Sequence, residues 1–412
     1  MFFSLKKIFS RLITWQVYLD HAATTPMDPQ VYSVMGKIYQ HTYGNPGGMY
    51  TLGTATQGVI TDARRAVAQV LGTTQDHIIF TRGGTESNNL AILGTIRHFK
   101  KNNPGIVPHI ITSVIEHDSV LEVVKKMEQD GEVTASYIPC DTDGVVAVED
   151  IKEALRPETV LVSIMYANNE IGTIQPIKEI AKLLRWWKKQ TTTSLFSDKK
   201  NAYPLLHTDA IQAANYCDIN SLRLGVDLMT LSGSKIYGPK SVGILFVKHT
   251  DMIDPIIYGG GQEFGLRSGT EDVALIAGFA KALEISQEVK EKEIVRLTTL
   301  RDFLIDELVK DGCIHLNGSK DYRLSNNINV TIKGFPGEQL VIQLAARGFA
   351  VSAKSACQAD SDEESHVIAA LRAAQGVESS SEEGSLRITL GRRTTKQQLG
   401  KFIKEFNKIL KK

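Results

Sequence analysis

Two residues of this sequence have side chains suited to covalent chemistry. Lys235 follows the short polar stretch 232–234, and a lysine amine held in a fixed, partly desolvated place can form a Schiff base with a carbonyl compound. Cys357 lies in the polar stretch 355–365, whose composition is typical of an exposed loop where a thiolate could act as a nucleophile. Each has an ordinary alternative, because most lysines are solvated and many lone cysteines are buried and inert.

A carboxylate and a glycine-rich turn suggest what such a lysine would serve. Asp209 follows the apolar run 205–208, and a carboxylate at such a place needs a cation, for example a protonated pyridine nitrogen. Residues 83–85 are Gly-Gly-Thr between a predicted strand and a predicted helix, where a helix N-terminus can receive a phosphate. The stretch is neither a dinucleotide-binding fingerprint nor a Walker loop. A capping aspartate and a tight turn are the alternatives.

The apolar pattern predicts a scaffold that could gather these residues. Short β-rich runs alternate with helical stretches between residues 77 and 247, which is typical of a parallel sheet covered on both faces. Because the carboxyl ends of parallel strands meet at one edge, we expect the segments that follow them to form one ligand site. These segments are 82–86, 116–117, 168–170, 209–212 and 232–235.

Length and pattern also predict the domain organisation. The chain has 412 residues, of which 42% are hydrophobic, enough for two domains. A helical pattern from residue 273 to about 309, with a break inside it, precedes a second, smaller α/β region. We therefore predict an α/β fold with a large, mostly parallel sheet domain at 28–287 and a small C-terminal domain at 288–412, joined by the N-terminal segment 1–27.

Charge and cysteine usage argue against several classes of protein. With 47 basic and 46 acidic residues the formal net charge is +1, so we expect no direct nucleic-acid binding. The four cysteines form no CxxC pair, which argues against a metal site or disulfides and favours a reducing compartment such as the cytoplasm. Residues 1–16 are basic; we favour a solvated extension, with an organellar targeting peptide or a surface helix as alternatives. No uncharged apolar stretch is long enough to span a membrane.

Eight segments carry a resemblance to a known family. In chain order they are YLDHAATTP, GGTESNNLAI, IEHDSV, NNEIG, TDAIQ, SGSKIYGPK, GGGQEFGLRSGT and SAKSAC. Together they resemble the cysteine desulfurases, class V members of the aspartate-aminotransferase fold (pyridoxal-phosphate fold type I), over roughly residues 18–395. The long polar stretch around Cys357 resembles the long-loop, housekeeping branch. The resemblance implies pyridoxal 5'-phosphate as the cofactor.

The resemblance also implies contacts with that cofactor. Lys235 would hold it covalently, Asp209 would pair with its ring nitrogen, and His117 would stack on the ring and assist proton transfers. Gln212 and Asn168 would hydrogen-bond near the ring hydroxyl. The phosphate would be held by Gly84, Thr85, Ser232, Ser234 and, from the partner subunit of a homodimer, Thr270.

For the substrate, the resemblance implies L-cysteine. Arg387 and Asn168 would bind it, and the arginine would hold its carboxylate. Cys357 would attack the substrate sulfur, with Lys235 and His117 as the other catalytic residues. The products would be L-alanine and a persulfide on Cys357, which passes to an acceptor protein for iron–sulfur cluster assembly or tRNA thiolation.

Some positions depart from the family pattern. Ser234 stands where a histidine usually precedes the lysine, residues 47–50 lack another usual histidine, and the stretch 188–203 is longer than usual. Three alternatives therefore stay open. They are a selenocysteine lyase or other class V lyase or aminotransferase, a catalytically impaired partner in cluster assembly, and a nucleotide-binding α/β protein, for which no fingerprint is present.

Overall fold

A mostly parallel sheet forms the centre of the larger part of the molecule. The computed structural model describes residues 17–190, 203–353, 364–377 and 384–411. The strands in these ranges are β1 (Val17–Tyr18), β2 (Ile78–Thr81), β3 (His109–Ser113), β4 (Thr134–Ile138), β5 (Thr159–Ser163), β6 (Leu205–Asp209), β7 (Leu228–Ser232), β8 (Gly243–Val247), β9 (Ile314–Leu316), β10 (Asn327–Ile332), β11 (Phe349–Ala350) and β12 (Gly384–Thr389).

Helices form many of the connections between these strands. In the same ranges they are α1 (Pro29–His41), α2 (Thr51–Leu71), α3 (Gly84–Asn102), α4 (Asp118–Gln129), α5 (Val148–Ala154), α6 (Ile177–Gln190), α7 (Ser221–Leu224), α8 (Val273–Leu308), α9 (Gly337–Ala345), α10 (His366–Gln375) and α11 (Lys396–Leu410). Short 3-10 turns lie at Gln75–His77, Gly233–Lys235, Thr250–Met252, Glu263–Gly265 and Val309–Asp311.

Among the described residues, seven strands make one sheet, in the order β2-β8-β7-β6-β5-β3-β4. The prediction of a mostly parallel sheet is confirmed, and β8 is the exception, because it pairs with β7 and β2 in antiparallel fashion. Only ten residues, 233–242, connect β7 to β8. A parallel return needs a crossover of about a dozen or more residues, so this connection can only reverse the chain direction.

A second sheet lies in the C-terminal part of the chain. Its described strands follow the order β12-β10-β9 and are antiparallel, with Asn329 opposite Arg387. The N-terminal strand β1 pairs with β11, and Leu19 is buried in the same core as Phe402 and Phe406. The N-terminal segment is thus packed into the smaller part of the molecule, close to the strand that carries Arg387.

Helix α8 connects the two cores. Near its start Phe279 and Leu283 pack on the large sheet, whereas Leu297 and Leu304 belong to the smaller core. The prediction of a break inside this helix is wrong. The helix runs for 36 residues without interruption, because its polar middle contains no proline or glycine that would break it. The domain boundary expected after residue 287 falls within α8 and stays a prediction.

Several expectations concern residues that the structure does not describe. The basic segment 1–16, most of the long stretch 188–203, and Cys357 lie outside the described residues. In the described ranges, no helix combines the length and the apolar character needed to cross a membrane.

Candidate active site

A cavity of about 400 Å³ opens where the carboxyl ends of β2, β6 and β7 face the second sheet. It brings together most of the residues singled out from the sequence, although they are spread over some 300 positions of the chain. The predicted site residues that line it are Gly84, Thr85, His117, Asp209, Gln212, Ser232, Ser234, Lys235 and Arg387.

Asp209 is the buried acidic group of this cavity. It ends β6 and is 6% exposed. Its Oδ2 accepts a hydrogen bond of 2.8 Å from Asn88 Nδ2, and its Oδ1 accepts one of 2.9 Å from the Ile211 N–H. Burial raises the pKa of Asp209, and these two hydrogen bonds oppose that shift. Among the described residues it forms no ion pair, so a cationic ligand group would stabilise its ionised form.

Lys235 projects from the turn that ends β7. The 3-10 turn Gly233–Lys235 follows the strand directly, and Nζ of Lys235 donates to the carbonyl of Ala23. The backbone of the turn is held by Thr25, which bonds to the Ser234 carbonyl through its N–H at 2.9 Å and its hydroxyl at 3.0 Å. Gln212 is tied to the same N-terminal stretch, since its Nε2 donates to Ala22 O at 3.0 Å. Segment 22–25 therefore fixes the lysine beside the aspartate.

The glycine-rich turn before α3 has the shape expected for a phosphate cradle. Gly83 has a φ of +130°, a conformation that favours glycine. A Cβ added at Gly84 would lie 2.2 Å from Ile211 Cδ1, so a larger residue here would displace the end of the Ile211 side chain, which also lines the cavity. The first turn of α3 presents amide N–H groups, and the hydroxyls of Ser232 and Ser234 lie 3.2 Å apart on the same cavity. Donors of this kind suit an anion.

Arg387 supplies a buried cation on the opposite wall. It is 1% exposed, and its Nη2 forms an ion pair of 2.9 Å with Asp20 Oδ1. Its Nη1 donates to the Asn169 carbonyl at 3.2 Å, while Nε is buried and makes no hydrogen bond with the residues that the structure describes. Because Arg387 lines the cavity, its positive charge favours an anionic ligand group, such as a carboxylate, at this wall.

The structure shows the Asn168 side chain bonded within the chain, and its contacts with cofactor and substrate stay a prediction. Its Nδ2 donates to Ile115 O at 2.9 Å, and its Oδ1 accepts from the N–H groups of Glu170 and Ile171 at 2.8 and 3.0 Å. The side chain is thus used to hold the turn after β5 and does not line the cavity. The neighbouring Asn169 lines the cavity, where its backbone carbonyl accepts from Arg387 Nη1.

Two further expectations concern a contact with a partner subunit and a residue that the structure does not describe. Thr270 is exposed and lines a separate, smaller cavity with Arg82 and Arg267, so its contact with a partner's phosphate stays a prediction. Its segment is fixed to the first turn of α3, since Arg267 Nε lies 2.8 Å from Glu86 Oε1. Cys357, the expected nucleophile, is outside the described residues.

Asn88 and Ser119 are residues of the site that sequence reasoning missed. Asn88 is fully buried, and its Nδ2 donates both to Asp209 and to Ser119 Oγ, the latter at 2.8 Å. Ser119 Oγ lies 2.9 Å from His117 Nδ1. Both residues belong to segments that carry the resemblance, GGTESNNLAI and IEHDSV, but nothing local in either segment indicates that the two meet.

Known proteins with similar sequences and folds show the family to which the chain belongs. The family model described as Aminotransferase class-V matches residues 17–402. "Cysteine desulfurase IscS" of Dictyoglomus turgidum is 42% identical and covers 96% of this chain and 95% of its own. The protein of the same name from Methanosarcina thermophila is 40% identical and covers 96% and 92%.

Solved structures point the same way. One titled "NifS-like protein" has a TM-score of 0.84 at 33% identity, covering 96% of this chain and 99% of its own. Another, "SspA in complex with cysteine", has a TM-score of 0.73 at 31% identity and covers 90% and 98%. Since both the family model and relatives of about 40% identity span nearly the whole sequence, the chain belongs to the class V aminotransferase family, within the group of the cysteine desulfurases.

Proposed function

We propose that this protein is a pyridoxal-phosphate-dependent cysteine desulfurase, which converts L-cysteine to L-alanine and moves the sulfur to Cys357. The observation that carries the proposal is the content of one cavity. It combines a buried carboxylate at Asp209, an amine at Lys235 and a buried guanidinium at Arg387. An amino-acid substrate with its cofactor needs these three groups together.

The residues of the cavity fit pyridoxal 5'-phosphate. The ring nitrogen, when protonated, would be the cation that Asp209 lacks, and the phosphate would lie at the cradle formed by Gly84, Thr85 and Ser232. Lys235 would hold the aldehyde carbon covalently. When bound, the cofactor supplies an electron sink for the substrate α-carbon.

The chain's own residues then orient the substrate and move its proton. Arg387 would bind the L-cysteine carboxylate where it lines the cavity, while Asp20 and the Asn169 carbonyl keep the guanidinium plane in place. Nζ of Lys235 would accept the α-proton of the substrate. His117 would lie against the cofactor ring.

Sulfur transfer requires a nucleophilic thiolate, and Cys357 is the residue we assign. Burial raises the pKa of Cys140 to about 11 and that of Cys217 to about 12, so both stay protonated near neutral pH. Cys313 is exposed next to β9 of the second sheet and does not line the cavity. The thiolate of Cys357 would attack the substrate sulfur; the C–S bond breaks, a proton replaces sulfur on the β-carbon, and alanine and a Cys357 persulfide result.

Both flanks of the segment 354–363 are attached to the cavity wall. On one side Ser352 pairs with Arg387 through backbone hydrogen bonds of 2.7 and 3.1 Å. On the other, Ser365 Oγ donates to Glu170 Oε2 at 2.6 Å, and His366 Nε2 lies 2.8 Å from Glu116 O. Since Glu170 follows Asn169 and Glu116 precedes His117, these attachments support a nucleophile delivered from this segment to the cavity.

We further propose a symmetric homodimer that hands the persulfide sulfur to an acceptor protein. Thr270 would complete the phosphate site of the partner subunit, which is consistent with its exposure in the single chain. The acceptor would serve iron–sulfur cluster assembly or tRNA thiolation, and the cysteine pattern favours a cytoplasmic location. A net charge of +1 provides no general attraction for nucleic acid.

The decisive experiment measures both products together. Purified protein is incubated with pyridoxal phosphate, L-cysteine and a thiol reductant, and alanine and sulfide are quantified in parallel, with L-selenocysteine as a comparison substrate. We expect equal amounts of alanine and sulfide from L-cysteine. Deamination products without alanine, or turnover of selenocysteine alone, would refute the proposal.

A further inference from the structure

A continuous line of hydrogen bonds joins the ring of His117 to the carboxylate of Asp209. It consists of two bonds donated by Asn88 Nδ2, each 2.8 Å long, to Asp209 Oδ2 and to Ser119 Oγ, and a contact of 2.9 Å between Ser119 Oγ and His117 Nδ1. Three of its four residues are buried: Asn88 is 0%, Ser119 8% and Asp209 6% exposed. We call this set the Asn88–Ser119 bridge.

The donor and acceptor roles in the bridge follow from chemistry. An ionised carboxylate only accepts hydrogen bonds, so the amide nitrogen of Asn88, and not its oxygen, must face Asp209. The second N–H of that nitrogen is then donated to Ser119 Oγ. The serine hydroxyl is left with its own proton to donate, and the atom next to it is His117 Nδ1.

A backbone contact independently determines the proton position on His117. The N–H of Ser119 donates to His117 Nδ1 at 3.1 Å, and a backbone N–H cannot act as an acceptor. His117 is the N-cap of α4, with extended backbone angles, so this contact belongs to the start of the helix. Since Nδ1 accepts from both the amide and the hydroxyl of Ser119, the proton of the neutral ring lies on Nε2.

We propose that Asn88 and Ser119 are positioning residues that hold His117 as the neutral Nε2–H tautomer and link its ring to the ionised form of Asp209. In this form the histidine donates a hydrogen bond through Nε2 and is not a base at that atom. The role of accepting the α-proton then falls to Lys235. This catalytic consequence rests on the proposed function, whereas the tautomer itself does not.

The tautomer can be measured without turnover. The full-length protein is labelled with ¹⁵N-histidine, and long-range proton–nitrogen spectra at neutral pH are recorded with and without pyridoxal phosphate. Because the chain has ten histidines, the His117 signals are assigned from their absence in His117→Gln. We expect the Nε2–H pattern in both states; an Nδ1–H ring or an imidazolium would overturn the proposal.

Two variants at position 119 test the cause. Ser119→Ala removes the hydroxyl and keeps the backbone N–H, so the preference for Nε2–H should fall by about 2- to 10-fold, the effect of one hydrogen bond. Ser119→Thr keeps the hydroxyl and should restore the wild-type ratio. An unchanged ratio in Ser119→Ala would overturn the role of the hydroxyl, since a purely structural serine would not move it.

A double-mutant cycle tests the link through Asn88 in the cofactor-loaded enzyme. If the bridge acts as one unit, kcat/KM of Asn88→Leu combined with Ser119→Ala should fall no further than in the worse single variant. Asn89→Ala is the matched control, because Asn89 donates to the Thr85 carbonyl within α3 and takes no part in the bridge. Strictly additive losses would overturn the link. Should Asn88→Leu fail to fold, the position-119 spectra still decide the proposal.

A protein that makes no sulfide yet shows the Nε2–H signal would contradict the proposed function and leave the tautomer inference standing. An active desulfurase whose His117 carries its proton on Nδ1 would support the proposed function and overturn the tautomer inference.

Discussion

Replacing Arg387 by lysine should weaken the binding of L-cysteine and leave the cofactor in place. The guanidinium holds Asp20 through Nη2 at 2.9 Å and the Asn169 carbonyl through Nη1 at 3.2 Å, and the same side chain lines the cavity that would receive the substrate. A lysine ammonium can keep the charge and the contact with Asp20, but it has no planar fork with which to meet a carboxylate at the same time.

The size of the loss follows from the bond that disappears. A hydrogen bond to a charged group contributes about 1.5–3 kcal/mol. Each 1.4 kcal/mol corresponds to a factor of ten, so kcat/KM for L-cysteine should fall about 10- to 150-fold. The carboxylate is held in the ground state and in the transition state alike, so most of the loss should appear in KM.

Steady-state alanine formation at varied L-cysteine gives kcat and KM separately, and the absorbance of the bound cofactor confirms an intact site. Arg392→Lys is the matched control, because Arg392 also forms an ion pair, with Asp28 at 3.2 Å, but does not line the cavity. Wild-type kcat/KM in Arg387→Lys, or an equal loss in Arg392→Lys, would refute the assignment of Arg387 as the carboxylate site.

The other predictions concern the cofactor, the nucleophile and a buried acid. Lys235→Ala should lose the covalently held cofactor, so that borohydride no longer fixes it to the chain; mass spectrometry that still finds the reduced adduct on another lysine would show the assignment to be wrong. Gly84→Ala should weaken pyridoxal-phosphate binding, because its Cβ would lie 2.2 Å from Ile211 Cδ1 in the cradle, and equilibrium titration with the cofactor measures the effect; unchanged affinity would argue against the cradle. Cys357→Ala should bind cofactor and L-cysteine with the wild-type spectral change but lose persulfide and most alanine, and wild-type alanine production would exclude its role as sulfur acceptor. Burial raises the pKa of Glu116 to about 8 in the folded state. In the unfolded state the group keeps its ordinary pKa of 4.5, so between these two pH values only the folded state holds the proton. The wild-type protein therefore loses stability as pH rises from 4.5 to 8, because Glu116 is increasingly ionised in the unfolded state. The melting temperature of Glu116→Gln minus that of wild type should increase over this interval and stay constant above pH 8. A difference in melting temperature that does not depend on pH would contradict the raised pKa.

Most of the sheet could be predicted because its central strands are buried on both faces and appear as apolar runs. β4 shows no such run, because it lies at the sheet edge with four of its five residues exposed or half-buried. The direction of β8 could not be assigned from its apolar content, because parallel and antiparallel strands in a buried sheet have the same pattern.

The chemistry of the site was largely contained in the sequence. Lys235, Asp209 and Gly84 follow predicted strands closely in the sequence. The carboxyl ends of parallel strands meet at one edge of the sheet, so these residues are expected there. A local signal therefore sufficed for residues whose position depends on one strand and the turn that follows it.

Only the tertiary structure decided the contacts between distant segments. Asn168 and Asn169 are consecutive residues of the same type, and the conformation of the turn decides which of them lines the cavity. Asp20 meets Arg387 across 367 positions, and Asn88 meets Asp209 across 121. Such pairings leave no periodic trace in the sequence, because they depend on how the two sheets pack and not on the local preferences of either segment.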